Sequence, residues 1–183
     1  VLWDCIALLN EPTEQAIRAL GNLAAIAISH PHYYTTMAEW SAAFGNPPIY
    51  LHAADRQWAM RTDANFCFWE GDSTPLVEDL TLIHTPGHFE GFQVLHWPMG
   101  ADGKGVLLSG DQPQVCMDTH WVSFMYSYPN YVPLPRRSVQ EIVARLEPWR
   151  FDRIYGAFPR RTVQNDAKNV VRRSAERYFQ ALG

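Results

Sequence analysis

The sequence of 183 residues is short of charge, of cysteine and of long apolar runs, and each shortage excludes something. Only 19% of its residues are Asp, Glu, Lys or Arg, against roughly 25% in an average soluble domain. With 15 basic and 19 acidic residues the net charge is −4, so no basic face of the kind that tracks nucleic acid is expected. The three cysteines, Cys5, Cys67 and Cys116, are scattered and odd in number. They do not suit a disulfide framework, and a reducing cytoplasm fits them better. No run approaches the ~20 apolar residues of a transmembrane helix. The chain begins Val-Leu-Trp-Asp, without the basic n-region of a secretory leader, so none is expected. Apolar and aromatic residues are plentiful, at 47% and 13%. That excludes a disordered chain and is enough for one domain over 1–183 with a sizeable core.

Short apolar runs alternate with helical patterns, which reads as α/β. Strands are expected over 1–9, within 23–29, and over 49–52, 66–70, 80–84, 92–97, 105–109 and 153–155. Helices are expected over 12–20, with Pro12 in the first turn and Gly21 past the end, and over 36–44 behind a Thr35 cap. Further helices are expected over 53–60, from a Ser138–Glu141 capping box to Leu146, and from Asp166 onward. In the last of these, Val170, Val171, Ser174, Ala175, Tyr178 and Leu182 share one face. A strand that starts at residue 1 needs neighbours, so the chain is expected to lack an N-terminal portion.

Three places carry chemistry. The apolar run Ala25–Ser29 ends in His30-Pro-His32. In extended backbone, residues two apart project to the same side, so both imidazoles converge either as metal ligands or as two surface histidines. Leu82-Ile-His84 runs into Thr-Pro-Gly-His88. Pro86 and Gly87 forbid a helix there, so His84 and His88 are not a helical ligand pair, and His84 reads as a half-buried strand residue. Gly105-Val-Leu-Leu-Ser-Gly-Asp111 is an apolar strand ending in a carboxylate, which serves equally as turn former or ligand. Three strand ends that each deliver a His or an Asp match what a metal needs from separate parts of a chain.

The order His-x-His, Thr-Pro-Gly-His, Ser-Gly-Asp resembles the metallo-β-lactamase-fold superfamily. Val1–Cys5, with Asp4, resembles its early strand, and Arg153–Arg161 with the last helix resembles its close. The resemblance implies a four-layer αββα sandwich, here without the opening strands, with a metal site at the sheet edge. It implies His30, His32 and His88 as ligands of a first metal, with Asp111 as fourth ligand or water holder. The second metal of the family would need Asp at 34, His at 35 and a His near 157 beside Asp111. The chain has Tyr34, Thr35 and Ala157, so the second site is degenerate and one ion is expected. Zinc is the first choice and iron the second.

The function so implied is hydrolysis of a small ester-, thioester- or lactone-like substrate by one metal-bound water. The alternatives are a non-catalytic binding protein of the same fold and a mononuclear iron oxidoreductase resembling persulfide dioxygenases. Asp111 and Tyr34 are the candidate catalytic residues, with Tyr33 the other hydroxyl in reach. His52, Trp121 and Arg160 are the candidate substrate contacts, although His52 also suits a cap and Trp121 a packed loop. The expected partner is a small molecule, not nucleic acid or membrane, with a homodimer left open.

Overall fold

The computed structural model describes Val1–Gly183. Its strands are β1 (Leu2–Trp3), β2 (Ile26–Ala27), β3 (Ile49–His52), β4 (Phe66–Trp69), β5 (Ser73–Pro75), β6 (Thr81–His84), β7 (Gln93–Trp97), β8 (Val106–Gly110), β9 (Gln114–Val115), β10 (Val122–Ser123), β11 (Met125–Ser127), β12 (Val132–Pro133), β13 (Arg153–Gly156) and β14 (Thr162–Val163). Its helices are α1 (Glu11–Ala19), α2 (Met37–Ala43), the single turn α3 (Gly100–Gly103), α4 (Arg136–Leu146) and α5 (Ala167–Leu182). None is long and apolar enough to cross a membrane.

β1 to β4 form one sheet in sequence order with parallel neighbours throughout. The other large sheet runs β14-β13-β8-β7-β6-β5 and is antiparallel except between β8 and β13. Period-two alternation along the strands assigns the layers. In β2, Ile26 packs with Ile17 of α1 and with Met37 and Trp40 of α2, whereas Ala27 packs with Leu82 and Leu95 across the sandwich. In β6 and β7, Leu82 and Leu95 face the first sheet, while Ile83 and Val94 face Val139 and Ile142 of α4 and Val170 and Val171 of α5. Each sheet therefore has one face on the other sheet and one face on helices, which is the expected αββα order.

Gln93 of β7 ties the two sheets together beside the site. Its side chain is fully buried. Nε2 donates to the carbonyls of Ile28 (2.7 Å) and Tyr50 (2.9 Å), and Oε1 accepts from Trp69 Nε1 (2.6 Å). A buried amide with every partner in place fixes register where an apolar contact would slide.

Several expected elements are trimmed. The strand over 1–9 is only Leu2–Trp3, because Asp4 turns into the left-handed region (φ 56°) and directs its carboxylate onto Ser29. The helix over 53–60 is a 3-10 helix, Ala53–Trp58. Ser138–Glu141 is no capping box: α4 already starts at Arg136 behind Pro135, and the Ser138 N–H bonds to the Pro135 carbonyl. Strand β5 and the ribbons β9–β10 and β11–β12 were not expected. They are two or three residues long, too short to show a period.

Candidate metal centre

Three chain segments meet at one end of the sandwich. β2 leads through Ile28 and Ser29 to His30, the connection from β6 to β7 carries Thr85–His88, and β8 runs directly into Asp111. The ligand atoms of His30, His32, His88 and Asp111 all lie within 4.8 Å of one another, and no second such cluster exists in the chain. His30 Nε2 is 3.1 Å from His32 Nδ1 and 3.4 Å from Asp111 Oδ2. His30, His88 and Asp111 are buried and His32 is exposed, so the cluster opens to solvent past His32.

The two histidines of His30-Pro-His32 converge by a different route from the one the pattern suggested. His30 is extended (φ −166°), but Pro31–Tyr33 is a 3-10 turn that folds His32 back. That turn also decides the two tyrosines. At three residues per turn, residue 33 returns over residue 30. The Tyr33 ring lies edge-on to His30 with centroids 5.2 Å apart. Tyr34 points the other way, into the core with Ile26, Met37 and Trp40, and burial pushes its hydroxyl far above the ordinary range. Tyr34 is therefore a core residue, and the expectation that it serves the site is corrected.

Hydrogen bonds set the ring tautomers. His88 Nδ1 faces the carbonyls of Met125 (3.1 Å) and Tyr126 (3.0 Å) and must carry the proton. Its Nε2 lone pair is then left facing the cluster, buried and without a partner. Ser29 Oγ donates to Asp4 (3.0 Å) and so accepts from His30 Nδ1 (2.8 Å), which leaves His30 Nε2 free as well. Asp111 Oδ1 is a second buried orphan. Burial pushes the His30 ring down to about 4 and lowers His88 too. Burial works to raise the Asp111 carboxyl, but the three imidazoles grouped around it, His30 first, outweigh burial and hold it below its usual range. Neutral imidazoles and an ionised carboxylate are the ligand-ready forms. Unpartnered atoms at this depth are rare unless something else satisfies them, and the donor set suits a metal ion.

Gln112, the residue after Asp111, locks the His88 turn. It is fully buried. Its Oε1 accepts the His88 N–H (2.8 Å), and its Nε2 donates to the Thr85 carbonyl. Gly87 permits this approach: a Cβ there would sit 2.6 Å from Gln112 Oε1. Asp55 anchors the next residues, accepting the Gly91 N–H at 2.9 Å, and burial raises its carboxyl to about 6. Pattern reading missed Gln112, Gln93 and the Asp4–Ser29 relay. An amide next to a candidate ligand and beside a glycine turn was the only signal.

A cleft of about 540 Å³ opens beside the cluster, with His32 and His88 in its wall. Trp58, Phe89, Glu90, Tyr126 and Pro129 line the rest of its mouth. Trp58 and Phe89 meet edge-to-face at 6.0 Å. None of the three expected substrate contacts lines it. His52 stacks on His84 at 3.7 Å and bonds Ala54 N–H and the Gly71 carbonyl, as the capping alternative required. Trp121 lies beside Arg177 at 4.4 Å, in a separate hollow with Cys116 and Tyr178. Arg160 is exposed in the turn between β13 and β14.

No protein-family model matches the chain. It is 48% identical over 182 residues to the "Uncharacterized protein YmaE" of Bacillus subtilis (strain 168), a match spanning 100% of this chain and 66% of that protein. Among solved structures, DIM-1 metallo-beta-lactamase superposes with a TM-score of 0.68 at 16% identity, covering 98% of this chain and 81% of the other. A quorum-quenching N-acyl homoserine lactone lactonase superposes with a TM-score of 0.50 at 23% identity, covering 73% of this chain and 57% of the other.

Proposed function

The chain has the metallo-β-lactamase fold, and from that premise we propose that it is a single-metal hydrolase of a small ester, thioester or lactone. The observation that carries the reading is the convergence of His30, His32, His88 and Asp111 with two buried atoms left unpartnered. Zinc suits three imidazoles and an open position. Iron would use His30, His88 and Asp111 as a two-His-one-carboxylate set. A bound divalent ion would act as a Lewis acid toward a carbonyl and lower the pKa of bound water toward ~7. The resemblance implies that a second ion would need Asp at 34, His at 35 and a His near 157, and the chain has Tyr34, Thr35 and Ala157, so the reading is of one ion.

The residues divide the remaining work. The relay from Asp4 through Ser29 holds His30 Nε2 toward the centre, and the carbonyls of residues 125 and 126 do the same for His88 Nε2. Asp111, whose backbone carbonyl is bonded by Tyr128 (3.0 Å), keeps Oδ1 free to take the proton of an attacking water. The aromatic wall at Trp58, Phe89 and Tyr126 orients the acyl part and excludes bulk water. Two fold neighbours are named as a metallo-beta-lactamase and an N-acyl homoserine lactone lactonase, which supports a small-molecule substrate here. The test is initial-rate hydrolysis of a panel of aryl esters, thioesters and lactones with and without a chelator. Chelator-sensitive turnover that Asp111→Asn abolishes supports the reading. Turnover indifferent to both refutes it.

A further inference from the structure

The cleft at the metal centre has an uneven charge. No Lys or Arg is among the eleven residues that line it, and Glu90 is the one carboxylate residue on its rim. Arg56, next in sequence to the lining residues Gln57 and Trp58, is engaged elsewhere, its guanidinium over the Phe68 ring at 3.9 Å. Arg145, which reaches the neighbouring His84, is paired with Asp72 and Glu141. The apolar part of the wall is aromatic, with Trp58 and Tyr126 both exposed. Aromatic faces attract cations and repel anions through the ring quadrupole. A carboxylate on the same rim acts in the same direction, and like charge brought against it is disfavoured.

We propose that this cleft selects its acyl substrate by charge. It takes esters, thioesters or lactones whose acyl part is apolar or carries an ammonium group, it rejects those that carry a carboxylate, and Glu90 is the residue that sets the order. The inference rests on the hydrolase reading above and adds the substrate class to it. Apart from the metal centre itself, a substrate that bears its own carboxylate finds no Lys or Arg in this cleft to receive it. A quaternary ammonium finds aromatic faces and one carboxylate.

The experiment compares three p-nitrophenyl esters of matched length on the zinc-loaded protein: the pentanoate, the 4-(trimethylammonio)butyrate and the glutarate monoester. The chelator-treated rate is subtracted from each. The expected order in kcat/KM is ammonium ester first, then pentanoate, with the glutarate monoester about tenfold or more below the pentanoate at low salt. The gap narrows at about 0.5 M NaCl, as exposed charges are screened. Glu90→Gln shrinks the gap and Glu90→Lys inverts the order. A glutarate monoester hydrolysed as fast as the pentanoate by the unaltered protein overturns the proposal, as does an order that Glu90→Lys leaves unchanged. If no ester is hydrolysed, the hydrolase reading fails by itself. Charge selection is then read from ligand-observed NMR with the three corresponding amides, where equal binding, or binding by none, overturns it.

Discussion

Gln112→Met is the substitution that separates positioning of the site from its mere presence. Methionine keeps nearly the same length and volume, so no cavity opens. It removes the acceptor of the His88 N–H and the donor to the Thr85 carbonyl at a position that is 0% exposed. Leaving a buried backbone group unpaired costs about 1–3 kcal/mol. Two such groups give an upper range of about 6 kcal/mol, and relaxation of the Pro86–Gly87 turn reduces it to about 2–4 kcal/mol. In a domain of this size about 1 kcal/mol moves Tm by about 2–4 °C, so the metal-free variant should melt about 5–15 °C lower. The same turn carries His88, whose ring must point Nε2 at His30 and Asp111. Losing such an outer support weakens metal binding by about 10–100-fold. Calorimetric melting of metal-free protein and competitive zinc titration read the two effects separately. A lower Tm with zinc affinity unchanged refutes the claim that Gln112 positions His88. No change in either refutes the hydrogen-bond accounting.

Three other outcomes are expected. Asp111→Asn should lower chelator-sensitive hydrolysis by about 10²–10⁴-fold, the usual worth of a general base, as initial rates will show, while retained activity would remove Asp111 from the chemistry. His84→Ala and His96→Ala should keep the metal, since one ring bonds the Glu90 carbonyl and the other the Arg150 carbonyl, both outside the cluster; metal analysis after dialysis decides it. Burial pushes the His84 ring from 6.5 down to about 4, with the charges of His52 and Arg145 adding to the effect. The unfolded chain therefore takes a proton the folded chain refuses between those values, and that contribution to stability is present above pH 6.5 and lost as the pH falls toward 4. Urea midpoints of metal-free His84→Gln should decline less than those of the unaltered protein over that window, and parallel declines would contradict the assignment.

The layers of the fold were legible because strand alternation and helix spacing are local. The pairs Ile26 and Ala27, Leu82 and Ile83, and Val94 and Leu95 each send one member to each face. That these side chains gather in one place was legible because each follows an apolar strand, so His30, His88 and Asp111 could be placed at strand ends without knowing the register. Tyr34 could not be placed, because the choice between 33 and 34 depends on whether Pro31 opens an extended segment or a 3-10 turn. His52 ends strand β3 and Trp121 and Arg160 sit in loops, and the direction of each is set by its surroundings: a ring stacked on His84, a cation over the indole, and a left-handed turn residue at φ 66°. Gln112 and Gln93 were invisible for a related reason. Nothing in a buried amide's own sequence neighbourhood announces which distant carbonyls it will meet.

Metal content tests the central claim most directly. Protein purified without added metal and dialysed extensively at micromolar concentration should hold one equivalent of a divalent ion per chain by elemental analysis, as expected of a site with three or four protein ligands. His30→Ala, His32→Ala and His88→Ala should each lose it while still folding. Two retained equivalents, or one equivalent that survives all three substitutions, would contradict a single centre built from these histidines and Asp111.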